Sequence, residues 1–202
     1  MTSYLRTFYE TVTTTWPTTP ADGQPDYGVE LPPRIPTPAT EDTIAAVVSR
    51  YPLAPPELLC LLREADGTWH KGDFRGFLVF FREVDGYVES ACLNSCQDIL
   101  DYNETESLED YYGMDTIRAE GESLLDPRID PTIPMNQRMW IGTDRVFYDV
   151  YLDFNPAEGG KVGQVVWSVH DADEWRVIAP SFADYLSTLE AQAATNARNY
   201  HP

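Results

Sequence analysis

The clearest pattern in the chain is an alternation over residues 146–154, in which Val146, Tyr148, Val150, Leu152 and Phe154 fall on one face. Phe147, Asp149, Tyr151 and Asp153 fall on the other, more polar face. A period of two predicts an antiparallel strand that packs mainly through one face. Residues 163–169 alternate in the same way, and a turn over 170–174 joins them to a further strand at 175–179. This pair therefore predicts a hairpin.

A helical period replaces the alternation near the C-terminal end. Ser181 is a suitable N-cap, with Asp184 as its capping-box partner. The apolar residues that follow at helical spacing are Phe182, Tyr185, Leu186, Leu189 and Ala193. This spacing predicts a helix whose apolar face lies on the sheet, followed by a tail over 191–202.

The N-terminal part of the chain predicts helices that are separated by prolines. Residues 4–15 have the spacing of a short amphipathic helix, and the proline-rich residues 17–40 predict an extended strap. Thr40 is a candidate N-cap for a helix that Pro52 stops, and the next helix begins at Pro55.

A hairpin is predicted after these helices. The near-continuous apolar run over 76–81 is typical of a strand that is buried on both faces. Asp85 and Gly86 give a hairpin turn signal, so residues 87–93 are the expected partner strand.

Residues 97–134, here called the acidic segment, differ in composition from the rest of the chain. Between residues 97 and 126 there are ten carboxylates and the single base Arg118, mixed with apolar residues. This mixture predicts short helices with their acidic side chains outward. A length of 202 residues predicts one domain. The predicted parts are an N-terminal extension (1–40), one domain that includes the acidic segment (41–190) and a C-terminal tail (191–202).

The charge of the chain restricts its partners. With 14 basic and 33 acidic residues, the formal net charge is −19, which repels phosphate backbones and anionic lipids. We therefore expect no nucleic acid and no membrane as partner. A basic protein partner or an acid-rich proteome would account for the charge, and so would a solvated surface without a target. We expect no signal peptide, no transmembrane helix and no disulfide framework, and hence a cytoplasmic protein.

Candidate catalytic chemistry is sparse. The histidines stand at no metal-ligand spacing, and Cys92 with Cys96 lacks a second pair for zinc. The glycines of residues 159–163 lie between strands, so a turn is favoured over a phosphate site. The carboxylates of 170–174 could ligate a cation, but a solvated turn is favoured. We expect no enzyme activity, no metal and no cofactor, and we expect Trp69 to be exposed at an interface.

Six short motifs follow one another along most of the chain. They are Pro38-Ala39-Thr40-Glu41-Asp42, residues 53–62 with Asp66-Gly67, Trp140-Ile141, Leu152-Asp153-Phe154-Asn155-Pro156, Gly160-Lys161-Val162-Gly163-Gln164-Val165 and residues 177–186. In this order the motifs resemble the SUKH superfamily over residues 35–189. The usual Trp-Ile-Pro-Ile of the family stands here as Trp140-Ile141-Gly142-Thr143, and the acidic segment matches none of its motifs. The motif residues interpreted as structural signatures are Trp140, Asp153, Pro156, Gly163, Gln164, Ser181 and Phe182.

The resemblance implies an α+β fold with N-terminal helices packed beside a mostly antiparallel sheet and a C-terminal helix. It also implies a non-enzymatic protein that works by binding. Bacterial relatives are immunity proteins that neutralise nuclease or other toxin domains by occluding their active sites. Fungal relatives are regulatory scaffolds of cell-wall assembly.

Our hypothesis is an immunity protein that binds a cognate toxin domain, with a monomer favoured. A toxin nuclease needs a positive cleft for its substrate, and the carboxylates and tyrosines of the acidic segment could fill such a cleft. The expected partner contacts are Asp101, Glu104, Glu106, Glu109, Asp110, Tyr111, Tyr112 and Trp69. The alternative is a non-enzymatic regulatory or scaffold protein of the cell-wall assembly type.

Overall fold

The computed structural model describes residues 4–15, 35–69 and 76–198. Within these ranges, six strands form one sheet in the order β1-β2-β3-β4-β5-β6, and all neighbouring strands are antiparallel. The strands are β1 (Leu78–Val84), β2 (Tyr87–Leu93), β3 (Met139–Thr143), β4 (Tyr148–Asp153), β5 (Gln164–Val169) and β6 (Glu174–Ala179). The α-helices are α1 (Tyr4–Thr15), α2 (Glu41–Arg50), α3 (Pro56–Glu64), α4 (Cys96–Asp101), α5 (Leu108–Tyr112), α6 (Met114–Glu120) and α7 (Phe182–Arg198). The predicted α+β class is confirmed.

Local sequence signals explain where the helices begin. The Thr40 side chain accepts a hydrogen bond from the Thr43 amide at 3.2 Å, and Ser181 accepts one from the Asp184 amide at 3.1 Å. Pro55 precedes α3, whose first residue is also a proline. Each side-chain cap satisfies an amide that has no partner within its helix, which stabilises by about 1 kcal/mol.

Helices α1, α2, α3 and α7 cover one face of the sheet. Leu5 and Phe8 of α1 lie in the same buried cluster as Phe80, Trp167 and Leu189. Burying one large apolar side chain contributes about 1.5–3 kcal/mol, so α1 is part of the domain core. The predicted strap lies outside the described residues as far as residue 34.

The predicted C-terminal tail is wrong for residues 191–198, which continue α7 to Arg198. Ala197 is buried in the same cluster as the first turns of the helix, and Ala193 packs against that cluster. The apolar face of α7 therefore continues beyond the residues whose spacing predicted it.

The acidic segment covers the opposite face of the sheet from residue 102 onward, whereas Ile99 of α4 belongs to the first cluster. A second buried cluster joins Tyr151, Val166 and Trp175 of the sheet to Leu108 and Ile129 of the acidic segment. The prediction that the strand over 146–154 packs mainly through one face was therefore wrong, because both faces of β4 are covered. Apolar residues of the acidic segment supply this cover, although carboxylates separate them along the chain.

The first residues of the predicted strand form a turn instead. One carboxylate oxygen of Asp144 accepts hydrogen bonds from the amides of Val146, Phe147 and Tyr148 at 2.7–2.9 Å. Arg145 takes a left-handed conformation with φ of 68°. These bonds hold residues 146 and 147 outside the sheet, so β4 begins at Tyr148.

A buried arginine joins the acidic segment to the sheet. Arg138 is fully buried and donates hydrogen bonds to the carbonyls of Asp130 (2.6 Å) and Ile133 (2.9 Å). Its Nε lies 3.7 Å from the carboxylate of Asp153, which is also fully buried. Gln164 donates to the same carboxylate at 3.1 Å. The motif residues Asp153 and Gln164 thus lie where the acidic segment meets the sheet.

Gly142 stands where the Trp-Ile-Pro-Ile motif has proline, and the structure gives a steric reason for glycine at this position. A Cβ atom at this position would lie 2.6 Å from the Phe80 ring and 2.7 Å from the carbonyl oxygen of Cys92. The register between β3 and β4 also shifts between Trp140 and Gly142. A side chain at residue 142 would therefore require the neighbouring strand to move.

Both edges of the sheet are occupied by the chain itself. At β1, the Tyr185 hydroxyl accepts from the Phe81 amide at 3.0 Å and donates to the Phe81 carbonyl at 2.9 Å. At β6, the Trp175 amide and carbonyl bond to Leu124 and Asp126 of the acidic segment at 2.8 and 2.9 Å. Unpaired edge groups promote strand addition, so these contacts restrict edge pairing.

We expect Tyr185→Phe to reduce the free energy of unfolding by about 1–3 kcal/mol, because it leaves a buried amide and a buried carbonyl without this partner. Tyr87→Phe is the matched control, since Tyr87 is 79% exposed. Urea unfolding measures both variants. Equal stability of the two variants would show that the Tyr185 hydroxyl does not support the edge.

Candidate partner-binding groove

A groove of about 380 Å³ opens between the acidic segment and strands β3 to β6. Its aromatic lining consists of Tyr102, Tyr111, Tyr112, Trp140, Tyr151 and Trp175. Its carboxylates are those of Glu104, Glu106, Asp149 and Asp173. The remaining lining residues are Ser107, Leu108, Met135, Ser168 and His170. The volume lies in the range of about 300–1,000 Å³ that ligand sites occupy.

The aromatic side chains form a continuous belt across the groove. The Trp140 and Tyr102 rings lie 5.1 Å apart between centroids, and the Tyr102 and Tyr151 rings lie 6.0 Å apart. Tyr151 stacks on Trp175 at 5.6 Å. The indole of Trp175 then donates a hydrogen bond to the Tyr112 hydroxyl at 3.3 Å. Because the rings support one another, the belt is a preformed surface.

Asp149 lies at the floor of the groove and is 7% exposed. It accepts hydrogen bonds from the Trp140 indole at 2.8 Å and from the Tyr151 hydroxyl at 3.4 Å. The Nε2 atom of His170 lies 2.7 Å from the same carboxylate. This hydrogen bond to Asp149 raises the pKa of His170. The floor carboxylate is therefore held in place by three neighbouring side chains.

The tyrosines of the groove act as neutral hydrogen-bond donors. Burial raises the pKa of Tyr102 to about 12 and that of Tyr112 to about 12. The Tyr112 hydroxyl donates to the carboxylate of Asp173 at 3.0 Å. These phenols stay protonated near neutral pH and add no charge of their own.

Exposed acids form the rim. The backbone carbonyls of Glu104 and Glu106 accept hydrogen bonds from Asn136 and Met135 at 2.7 and 2.9 Å, which leaves both side chains at the surface. Tyr111 beside them is 72% exposed. Among the described residues that line the groove, none is lysine or arginine.

The structure brings four of the predicted partner contacts together in the groove, namely Glu104, Glu106, Tyr111 and Tyr112. Asp101, Glu109 and Asp110 lie outside its lining. Asp101 accepts a hydrogen bond from Gln97 at 2.7 Å, and the Asp110 carboxylate accepts from the Ser107 amide at 2.9 Å in a capping box. Of the carboxylates in the acidic segment, only those of Glu104 and Glu106 thus line the groove.

The prediction of an exposed Trp69 was wrong, because Trp69 is half-buried. The guanidinium of Arg145 lies 5.6 Å from the Trp69 ring and 5.8 Å from the Trp140 ring. Trp69 lines a separate cleft of about 220 Å³ next to Arg145. Trp69 therefore lies beside the groove, and Arg145 and Trp140 separate it from the other lining residues.

Sequence reasoning named four of the fifteen described lining residues as partner contacts. The aromatic and titratable lining residues that it did not name as contacts are Tyr102, Trp140, Asp149, Tyr151, His170, Asp173 and Trp175. Asp149 and Tyr151 are on the face of β4 that the alternation assigned as polar, and this face lies beneath the acidic segment. The presence of Tyr151 on that face was the available signal, since a strand face that is open to water rarely needs a large aromatic side chain.

The residues interpreted as structural signatures have varied positions. Asp153, Gln164 and Phe182 are buried, and Ser181 caps α7. Gly163 has a φ of 83°, which favours glycine, and Pro156 lies against the same turn at Gly160. Trp140 differs from the others because it is half-buried and lines the groove.

The carboxylates of residues 171–174 have separate partners. Asp173 binds Tyr112, whereas Glu174 pairs with Arg82 and Arg176. In the described part of the chain, no group of three or more His, Cys, Asp or Glu side chains could hold a metal ion. The helices there include none that is long and apolar enough to cross a membrane.

We expect His170 to stabilise the protein at low pH. Its pKa is raised above the ordinary value of 6.5, so its contribution is complete below pH 6.5 and is lost as the pH rises through the folded-state pKa. The side chain is 51% exposed, so we expect less than about 1 kcal/mol. The stability difference between the native chain and His170→Gln should be larger at about pH 5 than at about pH 9 in urea unfolding. A stability difference that does not change with pH would contradict this role of His170.

Comparison with known protein families gives one assignment. The model of the SMI1 / KNR4 family (SUKH-1) matches residues 38–188, in agreement with the six motifs. A comparison with curated proteins found no match. Because the family match covers more than half of the chain, the protein belongs to the SMI1 / KNR4 family (SUKH-1).

Proposed function

We propose that this protein is an immunity protein that binds a cognate toxin domain through the groove and its acidic rim. The observation that carries the proposal is the meeting of six aromatic side chains and four carboxylates in one groove. Membership of the SMI1 / KNR4 family is consistent with an immunity or a regulatory role. The protein neutralises its partner by binding and performs no catalysis of its own.

The lining of the groove has the composition of a protein-binding hot spot. Tyrosine and tryptophan dominate binding energy at interfaces because they bury a large area and can still form hydrogen bonds. Here Trp140, Tyr102 and Tyr111 present partly or largely exposed surface on a rigid base. A partner that covers this belt gains apolar contact without ordering flexible loops.

The charge of the rim fits a basic partner. Glu104, Glu106 and Asp173 are exposed, and the whole chain has a formal charge of −19. Opposite charge on the partner accelerates association and rejects acidic competitors. A nuclease toxin, whose substrate cleft is positive, has this property. Occupation of that cleft by the acidic rim would exclude the nucleic acid.

Growth rescue in bacteria tests the proposal. A toxin domain encoded beside this chain is expressed from an inducible promoter, together with the native chain or with Glu104→Lys/Glu106→Lys. We expect the native chain to restore growth and the double variant to fail. Glu122→Lys/Glu158→Lys makes the same charge change at exposed glutamates outside the groove and should still restore growth.

Two results would contradict the proposal. Inability of the native chain to restore growth against the toxin domain would favour a regulatory protein instead. Equal rescue by both double variants would show that neutralisation uses another surface.

A further inference from the structure

The groove has the chemistry to bind a planar, weakly hydrated cationic group. Ring faces attract cations within about 6 Å of their centroids. Tyr151 and Trp175 stack on each other and are buried, whereas Tyr102, Trp140 and Tyr111 present partly or largely exposed ring surface in the groove. Four carboxylates line the same space, and no lysine or arginine accompanies them among the described lining residues.

The carboxylates divide into a fixed floor and an available rim. Asp149 already accepts hydrogen bonds from Trp140 and Tyr151 and contacts His170, so it has few acceptor positions left for a ligand. Asp173 uses one oxygen for Tyr112 and is exposed, as is Glu106. These exposed carboxylates can accept the paired N–H donors of a guanidinium.

A guanidinium fits this combination better than an ammonium. It is planar, stacks on aromatic rings and is weakly hydrated, whereas the lysine ammonium is compact and strongly hydrated. The described residues contain an example of this arrangement. Arg145 lies over the rings of Trp69 and Trp140 and donates a hydrogen bond to Asp98 at 3.2 Å. Arg145 is not part of the groove lining.

We infer that the groove receives one arginine side chain of the partner protein, with the guanidinium against the aromatic belt and paired with Glu106 and Asp173. This inference names the ligand for the site of the proposed function and rests on that function. The remaining rim acids then contact other basic groups of the partner.

A titration with a small arginine probe tests the inference without the toxin. The probe is N-acetyl-arginine methylamide, and the readout is the indole N–H signal of each tryptophan in the ¹⁵N NMR spectrum. We expect saturable shifts of Trp140 and Trp175, with dissociation constants on the order of millimolar. Trp167 of β5 is fully buried on the sheet face that the helices cover and should not shift.

Matched probes and variants isolate the guanidinium. The citrulline analogue has the same shape without the charge, and we expect it to bind at least about tenfold more weakly. Glu106→Gln/Asp173→Asn should weaken arginine binding by about tenfold. Asp173 has a φ of 47°, a conformation that asparagine tolerates, so the substitution keeps the turn. Glu122→Gln/Glu158→Gln should bind the probe like the native chain.

Three results would overturn the inference. They are equal binding of the arginine and citrulline probes, unchanged Trp140 and Trp175 signals, and tighter binding of free spermidine, which would assign the groove to a polyamine. Toxin neutralisation is measured separately by growth rescue. If rescue depends on the groove while the probe fails, the proposed function stands and the arginine site is wrong. If the probe binds but rescue is absent, the proposed function is wrong.

Discussion

Replacing Arg138 with methionine is expected to reduce the free energy of unfolding by about 3–5 kcal/mol. Arg138 and Asp153 are both fully buried, and the guanidinium also donates to the carbonyls of Asp130 and Ile133. Methionine has a similar length but no donors, so it leaves a buried carboxylate and buried carbonyls without these partners. Since domains are stable by about 5–15 kcal/mol, this loss is a large part of the total.

Arg118→Met is the control for the same residue change in an exposed ion pair. Arg118 lies 3.5 Å from Asp115, and both side chains are highly exposed, so we expect a loss below about 1 kcal/mol. Arg138→Met/Asp153→Asn removes the unpaired charge and should recover part of the stability. Urea unfolding measures all three variants. A loss at Arg138 no greater than that at Arg118 would contradict the role of the buried pair.

Reversing two rim charges is expected to weaken toxin binding by about 100-fold, or about 2.7 kcal/mol. Glu104→Lys/Glu106→Lys places two cations where the partner needs anions. The fold should be little affected, because both residues are anchored through their backbone carbonyls and the one side-chain bond lost is the exposed contact of the Glu104 carboxylate with the Glu106 amide. Isothermal titration with the cognate toxin domain measures the change, with Glu122→Lys/Glu158→Lys as control.

Salt separates the electrostatic part of this effect. The Debye length falls from roughly 14 Å at about 50 mM to roughly 4 Å at about 500 mM salt, so the difference between the native chain and the rim variant should shrink. The aromatic contribution persists at high salt. A difference that is independent of salt would show that the substitutions act through the structure of the groove instead of its charge.

The elements that depend on local signals were predictable from the sequence. Asp85 and Gly86 take left-handed conformations in the turn between β1 and β2, as the hairpin signal indicated. The caps at Thr40 and Ser181 also act within a few residues of themselves. In each case the same short stretch contains both the signal and the structure that it produces.

The groove was less predictable because it joins distant parts of the chain. Tyr102, Asp149 and Trp175 come from the acidic segment, β4 and β6, and they meet only when the acidic segment folds over the sheet. The alternation in β4 identified the two faces but not what covers the second face. The half-burial of Trp69 likewise depends on Arg145, which is remote in sequence.

The groove is the surface that the partner covers in the proposed complex. Hydrogen–deuterium exchange of the chain, alone and with its cognate toxin domain, measures this directly. We predict slower exchange on binding in residues 102–112 and 168–175, with unchanged exchange in α2, α3 and α7. Slower exchange confined to those helices, with the groove unaffected, would contradict the account.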